Sequence, residues 1–584
     1  MKIKRLTDCF LLLLAAGMLA ACSSNDDNKE NNGTNDGKKV DARKALTFKV
    51  NIADYNEDQE VGVTRADNEE VNVGRQVLDL GNGILAQCTL QRDTTKQMKT
   101  FATRALPDDT YTMLAYDHTT HAFCGAMSGK VTGGAFVYTG NESMELPVGT
   151  YDFVLFNSKV QRNGNLLTVT RANAGDALIG RTTGTPIFAT PYHGQQVSFT
   201  LKHVAAKVKV KLTGYTPFSG ITATLSSINA TDVPSSSIYD ASTGTWSLGT
   251  GAATSNNLTY GASQQGAAIP GGYGTFYVGT SNEDAFYMPS TDVSKLKLSF
   301  TGGSIYNLNM VGTSFTLAPK TPLQLAANGS YVLNVKLAYN FLYLMSNGDV
   351  KPFSETTFGG GSLTPIAVVI SRSKHMAVAL RDASNTTLVN VVPNPYVTTI
   401  PYNTYTTDNL IPALKNSPSG LDETWKASST PDGTIKANDP TNFPAYYYAA
   451  HYNPGVTYTG TPPLQWYLPS MSDFNVMISV LLFQNIIIDT QNAEFWNRPS
   501  NPDLSNLAFS QVGGTPMYVP QDENKFGYNT LKYYWSSTSI YYVSHGVTYY
   551  GYYGRFAHNR NMVRVTIIFG ERNMRFYVRA FVKY

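Results

Sequence analysis

Charged residues, clustered histidines and catalytic motifs are scarce in this chain of 584 residues. Charged side chains form only 15% of the sequence and the formal net charge is +3, so no basic surface for nucleic acid is predicted. The sequence contains no HExxH, CxxC or GxSxG motif, and its eight histidines are dispersed. We therefore predict a protein that is not an enzyme and that needs no cofactor and no metal.

Cysteine is also rare, and two of the four cysteines belong to an N-terminal export signal. Basic residues precede the apolar run CFLLLLAAGMLAA, which is short for a membrane span, and the motif LAAC ends at Cys22. The pattern predicts a lipoprotein signal peptide over residues 1–21 and lipidation of Cys22, in preference to an uncleaved anchor helix. The exported chain is therefore expected at the outer membrane and cell surface.

The two remaining cysteines, Cys88 and Cys124, leave two alternatives open. In an oxidising compartment they either pair as a disulfide or remain two buried free thiols. Because pairing requires a specific separation of the two backbones, the sequence favours neither.

Residues 22–44 contain almost no apolar side chain. The stretch SSNDDNKENNGTNDGKKVDARK cannot bury enough surface to offset the entropy lost on ordering. We expect it to be a flexible tether.

The chain is rich in glycine and tyrosine, with 48 Gly and 37 Tyr, which favours short strands joined by turns. Runs with apolar residues at alternate positions recur over 45–196 and over 197–338, and they predict two β-sandwich domains. In the longest run, VSFTLKHVAAKVKVKLTG, the alternation slips between His203 and Ala206, which indicates a bulge or a bend between domains. His203 is interpreted as a structural residue rather than a metal ligand.

The first strand is predicted over residues 45–53. Alternation places four apolar side chains on one face: Leu46, Phe48, Val50 and Ile52. An acidic, turn-prone stretch follows and contains Arg65 in GVTRADNEE. This context is typical of an exposed loop that a protease can cut.

Several of these segments follow one another in a familiar order: the lipobox, TRADNE after the first strand, LPVGTYDFVLFN, SFTLKHVAAKVKVKL and NGSYVLNVKL. The order resembles the fimbrillin family, the type V pilin subunits, over roughly residues 22–338. The resemblance implies an exported lipoprotein with two transthyretin-like β-sandwich domains. It also implies that an arginine-specific protease removes the first strand and that another subunit's strand fills the groove left behind.

Arg65 matches the position of the family's cleavage site, and Arg75 and Arg43 are less well placed alternatives. A strand that fills the groove would restore backbone hydrogen bonds and bury alternate side chains. The simpler interpretation is that residues 45–53 form a permanent edge strand and that Arg65 is an ordinary solvated arginine.

Residues 339–584 change in character and are predicted to form an α+β domain. The segment IAVVISRSKHMAVALRDAS predicts two strands with a turn at Ser373 and Lys374. In LPSMSDFNVMISVLLFQN, Ser470 and Asp473 form a capping-box pattern before apolar residues at helical spacing. This helix is expected to pack against a core.

The ordered segments TPIAVVIS, MAVALRDA, QWYLPS and YVRAFV resemble the C-terminal domains of fimbrillin-like tip proteins and the major paralogous domain, which is similar to the C-type-lectin-like fold. The resemblance implies a lectin-like adhesion domain with Trp466, Trp535 and Arg579 as framework residues. Calcium-dependent sugar signatures are missing. Oxygen-bearing side chains occur together in two segments, but such clusters are common in solvated loops and predict no metal: Asn501, Asp503, Gln521, Asp522 and Glu523.

Six tyrosines near the C-terminus are the candidate ligand-binding residues: Tyr541, Tyr542, Tyr549, Tyr550, Tyr552 and Tyr553. If this segment is a strand, adjacent aromatic residues cannot all face one core, so some of them are exposed. Exposed tyrosines suit stacking on sugar rings or contact with a protein. The alternative is that they pack against the long preceding loop or a neighbouring strand.

Two functions of different class follow. In the first, the chain is a fimbrial tip or accessory subunit that joins other pilin subunits by strand exchange. Its C-terminal domain then meets an unknown host or bacterial surface ligand, with glycans as one class, and the buried C-terminal tail is a poor donor strand, which favours the tip. In the second, the chain is a permanently anchored surface lipoprotein that binds glycans. Cleavage at Arg65 separates the two, because it severs the folded body from Cys22.

Overall fold

The computed structural model of the protein describes residues 39–56, 71–72, 78–93, 106–133, 135–139, 144–189, 195–269, 275–319, 321–384, 388–390, 405–406, 417–481, 502–517, 532–544, 547–559, 562–567 and 575–584. Strands form most of the regular structure, which confirms the predicted mainly β fold. The α-helices in this part of the chain are α1 (Ala42–Ala45), α2 (Gly420–Trp425), α3 (Pro444–Ala450), α4 (Met471–Leu481) and α5 (Pro502–Ser510).

The first sheet has seven strands, and all its neighbours are antiparallel except the pair at one end. In spatial order they are β2 (Leu46–Ile52), β14 (Gln195–His203), β13 (Leu178–Ile187), β10 (Gly149–Asn157), β6 (Asp109–Asp117), β7 (Phe123–Thr132) and β8 (Ala135–Tyr138). A separate pair joins β1 (Lys39–Asp41) to β9 (Glu145–Pro147). The central strand β10 is buried on both faces, because Tyr151 and Phe153 belong to one apolar cluster and Val154 and Phe156 to another.

A four-stranded sheet covers one face of the first sheet. It contains β11 (Gln161–Asn163), β12 (Leu166–Thr170), β17 (Ser236–Asp240) and β18 (Thr245–Leu248). Leu167, Val169 and Tyr239 from this sheet share a core with Val154 and Phe156 of β10. Two of its strands precede residue 196 and two follow it, so this sheet joins the two regions predicted as separate sandwiches.

Two further sheets pack face to face around the largest apolar cluster. The eight-stranded sheet contains β20 (Gln264–Ala268), β21 (Thr275–Thr280), β15 (Ala206–Gly214), β26 (Ser330–Tyr339), β5 (Ile84–Arg92) and β3 (Val71–Asn72), with β22 (Ala285–Tyr287) on β15 and β4 (Leu78–Asp79) on β5. The five-stranded sheet contains β19 (Ser255–Thr259), β16 (Ser219–Ser227), β23 (Leu296–Ile305), β24 (Leu308–Asn309) and β25 (Ser314–Thr316). Strand β15 buries its apolar face and leaves its lysines partly exposed, as the alternation predicts.

The predicted bend between His203 and Ala206 is confirmed, because β14 ends in the first sheet and β15 begins in the eight-stranded sheet. Sheet membership nevertheless crosses the predicted boundary at residue 196. Strand β5 pairs with β26 over its whole length, although it precedes most of the first sheet in the chain. The division into domains at residue 196 stays a prediction, because strands from both sides of that residue belong to the same sheets.

The C-terminal region contains two sheets and helices α2 to α5. The six-stranded sheet has the order β28 (Val350–Pro352), β27 (Leu342–Met345), β29 (Pro365–Ser371), β30 (Met376–Ala379), β36 (Phe581–Lys583) and β32 (Gln465–Tyr467). The four-stranded sheet has the order β31 (Tyr405–Thr406), β33 (Tyr533–Ser544), β34 (Val547–Asn559) and β35 (Met562–Ile567). The two strands predicted on either side of Ser373 and Lys374 are confirmed as β29 and β30.

Helix α4 begins with the predicted capping box. The Ser470 N–H donates to Asp473 Oδ2 (2.9 Å), and the Asp473 N–H donates to Ser470 Oγ (3.3 Å). Phe474, Met477 and Ile478 are buried in the largest apolar cluster, so the predicted apolar stripe is confirmed as a packing surface.

The predicted framework residues are all buried in the C-terminal region. Arg579 is completely buried and forms an ion pair with Asp382 (2.9 Å), which also receives Lys532 Nζ (2.6 Å). The Trp535 indole N–H donates to the Val389 carbonyl (2.7 Å), and Trp466 packs on Tyr452. Their packing and ion-pairing roles are as predicted.

Candidate strand-exchange site

Strand β2 lies at the end of the first sheet and pairs only with β14 among the described strands. The pair is parallel and runs in register from Leu46 opposite Gln195 to Ile52 opposite Leu201. Parallel pairing is slightly less stable per residue than antiparallel pairing. The opposite edge of β2 is therefore free of sheet hydrogen bonds within the described part of the chain.

The two faces of β2 differ as predicted. Leu46 is buried and Phe48, Val50 and Ile52 are half-buried, whereas Thr47, Lys49 and Asn51 are exposed. The apolar face packs on the same cluster as Val197, Phe199 and Leu201 of β14. Loss of β2 would consequently open an apolar groove beside β14.

Residues 39–45 are folded, which corrects the prediction that the tether extends to residue 44. Val40 and Ala42 are buried, and the Ala42 N–H donates to the Met144 carbonyl (2.9 Å). Asp41 caps α1 by accepting the Arg43 N–H (3.0 Å). The partners of Val40 and Ala42 lie about a hundred positions later, in β9 and at the residue before it, and local composition cannot reveal such partners.

After β2 the chain is held at the junction of the first and eight-stranded sheets. The Ala53 N–H donates to the Leu201 carbonyl (2.8 Å), and the Asn56 N–H donates to the Asn328 carbonyl (2.9 Å). Asn56 Oδ1 accepts from the Ser330 N–H (2.9 Å) and from Arg92 Nη1 (3.1 Å). Asn56 has φ of +64°, a left-handed conformation that asparagine tolerates better than most residues.

Tyr55 packs in the same junction. Its ring stacks on His203 with centroids 4.1 Å apart and planes 10° from parallel, and Lys207 Nζ lies 4.6 Å from the ring centroid. Burial, followed by the negative charges of Asp284 and Asp176, raises the pKa of Tyr55. The tyrosine is therefore a neutral packing group, and His203 has the structural role predicted for it.

Tyr55 and Asn56 are site residues that no local sequence pattern predicts. Their partners Arg92, His203 and Ser330 lie up to 274 positions away in the chain. The available local signal was an asparagine directly after the strand, a residue type that favours turns and positive φ.

The proposed cleavage and lipidation residues Arg65 and Cys22 lie outside the described residues, as does Arg75. Arg43 lies in α1, where its side chain is only partly exposed and approaches Asp41 (3.8 Å). A folded helical turn is a poor protease substrate because the chain must be extended to enter the active site.

The six candidate tyrosines lie in the hairpin of β33 and β34. The segment is therefore a pair of strands, which is the condition under which adjacent tyrosines were predicted to be exposed. The register places Tyr542 opposite Tyr549, Ile540 opposite Tyr552 and Ser539 opposite Tyr553, with an irregularity between residues 540 and 542. The hairpin thus brings tyrosines of both strands together along the backbone. Their side chains lie outside the described part of the structure.

Cys88 and Cys124 are both unpaired. Cys88 is buried in β5 and Cys124 is partly exposed in β7, in different sheets. The disulfide alternative is therefore wrong, and of the two thiols expected to be buried only Cys88 is.

Among the described residues, no group of three or more histidine, cysteine, aspartate or glutamate side chains could hold a metal ion. Asn501, Gln521, Asp522 and Glu523, named above for their oxygens, lie outside that part, and so does the side chain of Asp503. No described helix is both long and apolar enough to cross a membrane.

Sequence identity to known proteins is low, but one family profile matches part of the chain. The profile of the fimbrillin-like family matches residues 90–351. No curated protein sequence matches the chain.

Solved structures with partial likeness come from Bacteroides and Porphyromonas species. A Bacteroides uniformis protein assigned to cell adhesion is 14% identical, with 42% of this chain and 90% of that chain covered and a TM-score of 0.26. A fimbrial protein from Bacteroides vulgatus is 13% identical, with the same coverage and a TM-score of 0.25. The C-terminally truncated tip fimbrial protein Mfa3 from Porphyromonas gingivalis is 11% identical, with 42% and 94% covered and a TM-score of 0.21.

TM-scores of this size do not establish a common fold, so the family match carries the assignment. The matched family is one of structural subunits, which agrees with the prediction that the protein is not an enzyme. Over residues 90–351, the chain is similar to the fimbrillin-like family.

Proposed function

We propose that this pilus-associated subunit accepts a strand of another subunit in place of its own β2, after proteolytic cleavage at Arg65. The observation that carries the proposal is the edge position of β2, which pairs with β14 alone among the described strands. Departure of an edge strand leaves the other six strands of the first sheet paired. A departing central strand would split the sheet.

The groove has the properties that strand addition requires. Without β2, the exposed edge of β14 offers backbone donors and acceptors over seven residues, beside an apolar surface that includes Val197 and Phe199. An incoming strand with alternating apolar residues restores both sets of contacts.

A position at the tip of the filament is supported by the C-terminal strand. Strand β36 lies between β30 and β32, and Phe581 and Val582 are completely buried. Strand β26, which closes the fimbrillin-like region, is likewise central, between β15 and β5. Neither strand can be donated without opening its sheet, and a subunit that accepts but does not donate can only end a filament.

Adhesion is assigned in this proposal to the C-terminal region. Tyrosines on both strands of the β33–β34 hairpin would contact the surface ligand, by stacking on sugar rings or by packing on a protein. Lipid on Cys22 would hold the subunit at the outer membrane until cleavage releases it.

The second candidate is a permanently anchored, glycan-binding lipoprotein. It is favoured by the extent of contact around the first strand, since β1, α1 and residues 53–56 add attachments on both sides of β2. If those contacts hold the N-terminal fragment in place after cleavage, the body stays attached to the lipid anchor and no strand is exchanged.

Limited digestion with an arginine-specific protease tests the proposal on the chain of residues 23–584. The expected result is a stable body that begins at Ala66, loses residues 45–53 and then assembles with a stalk pilin. Resistance of Arg65 to cleavage, or a cut fragment that never leaves the sheet, would favour the anchored lipoprotein.

A further inference from the structure

Residues 54–56 are contacted by five side chains or backbone groups that lie outside the first strand: Arg92, His203, Lys207, Asn328 and Ser330. We call this set the junction pocket. These residues belong to β5, β14, β15 and β26 or directly precede β26, and none of them is part of the segment that cleavage at Arg65 would remove.

The junction pocket presents hydrogen-bond donors to Asp54 and Asn56, and an aromatic ring and a cation to Tyr55. Asn328 is buried, and its Nδ2 donates to the Asp54 carbonyl (2.9 Å), while the Ser330 N–H donates to Asn56 Oδ1 (2.9 Å). The His203 ring and Lys207 Nζ both face the ring of Tyr55. Departure of residues 54–56 removes the acceptors of these two donors, and buried donors without acceptors are costly.

We propose that the junction pocket selects the incoming strand by accepting an aromatic side chain and the asparagine after it, three and four residues beyond that strand's last core-facing residue. This spacing is the one that separates Ile52 from Tyr55 and Asn56. The inference rests on the proposed strand exchange and adds a recognition site outside the groove beside β14.

The chemistry of the occupant follows from the resident residues. An aromatic ring can stack on His203 and attract the Lys207 ammonium through its π face. The Tyr55 hydroxyl is buried without a hydrogen-bond partner among the described residues, so phenylalanine serves as well as tyrosine. The following residue must supply a side-chain acceptor and adopt positive φ, which favours asparagine.

The experiment uses peptides, so that the fold of the acceptor is unchanged. A recognition sequence for a site-specific protease is inserted between Glu60 and Val61 in the chain of residues 23–584, which is then cut. Binding of labelled peptides is measured by fluorescence anisotropy. The peptides span residues 45–56, residues 45–53, and residues 45–56 with Tyr55→Phe or Tyr55→Ala.

The peptide of residues 45–56 and its Tyr55→Phe variant are expected to bind equally, with the Tyr55→Ala variant about tenfold weaker and the peptide of residues 45–53 weaker by at least as much. Lys207→Gln in the acceptor should reduce the difference between Tyr and Ala at position 55 without changing binding of the short peptide. Equal binding of the long and short peptides, within about twofold, would overturn the junction pocket and leave strand exchange intact. Failure of every peptide to replace the cut segment would overturn both proposals.

Discussion

Strand β2 near the N-terminus and strand β36 near the C-terminus are attached in opposite ways. Strand β2 lies at a sheet edge and pairs with one described neighbour, whereas β36 lies between β30 and β32. Phe48 and Val50 are half-buried, while Phe581 and Val582 are completely buried. Both segments alternate or run apolar in sequence, so position in the sheet, rather than hydrophobicity, distinguishes the two strands.

The largest effect is expected at the C-terminal end, where one carboxylate neutralises two buried cations. Asp382→Ala leaves Arg579 and Lys532 without their counter-charge, and removal of one partner from a buried ion pair costs about 3–5 kcal/mol. Chemical denaturation of the full chain, followed by tryptophan fluorescence, should show a lower midpoint for the transition that exposes Trp466 and Trp535.

The matched control is Asp349→Ala, because Asp349 is exposed in the turn between β27 and β28. Its free energy of unfolding should stay within about 0.5 kcal/mol of the unmodified chain. Equal midpoints for the two variants would contradict a tightly held C-terminal strand.

The second effect concerns the groove face of β2. Val50→Asp places a charge against the apolar cluster and should weaken attachment of the strand by about 1–3 kcal/mol. Lys49→Asp, on the exposed face, serves as the control and should change little. Hydrogen exchange of the β14 amides reports the difference, and equal exchange in both variants would mean that the predicted inward face does not secure the strand.

A third and smaller effect distinguishes the contribution of the Asn56 backbone conformation from that of its side-chain hydrogen bonds. Asn56→Ala loses the bonds to Ser330 and Arg92 and disfavours the positive φ, so segment 46–56 should lose about 0.5–1.5 kcal/mol of protection against exchange. Asn56→Gly loses the same bonds but tolerates the conformation, and its loss should be smaller. If the glycine variant exchanges as fast as the alanine variant, the left-handed conformation is unimportant there.

The smallest effect is expected at the Tyr55 hydroxyl. Tyr55→Phe keeps the ring contacts with His203 and Lys207 and removes a hydroxyl with no hydrogen-bond partner in the described structure, so protection of β2 should change by less than about 0.5 kcal/mol. Tyr55→Ala should release the segment faster. A large loss in the phenylalanine variant would show that the hydroxyl takes part in an interaction.

Local sequence patterns predicted the elements that are defined by a regular spacing of residues within the element itself. The alternation gave the faces of β2 and β15, and the Ser470–Asp473 spacing gave the start of α4. The ordered segment 39–45 and the junction pocket depend on contacts with β9 and β26, which are distant in sequence and cannot be derived from a local period. The parallel direction of β2 on β14 has the same origin, since it depends on how the intervening chain crosses between sheets.

Hydrogen exchange of the cut chain, measured with and without a labelled peptide of residues 45–56, tests the central claim most directly. After cleavage at Arg65, the account predicts that the N-terminal fragment is replaced by the peptide and that β14 exchanges faster only while the groove is empty. Strand β9 should exchange faster in both cases, because its partner β1 is not part of the peptide. Exchange at β36 should be the same throughout. A fragment that remains bound in excess peptide, with β14 as protected as in the uncut chain, would contradict an exchangeable first strand.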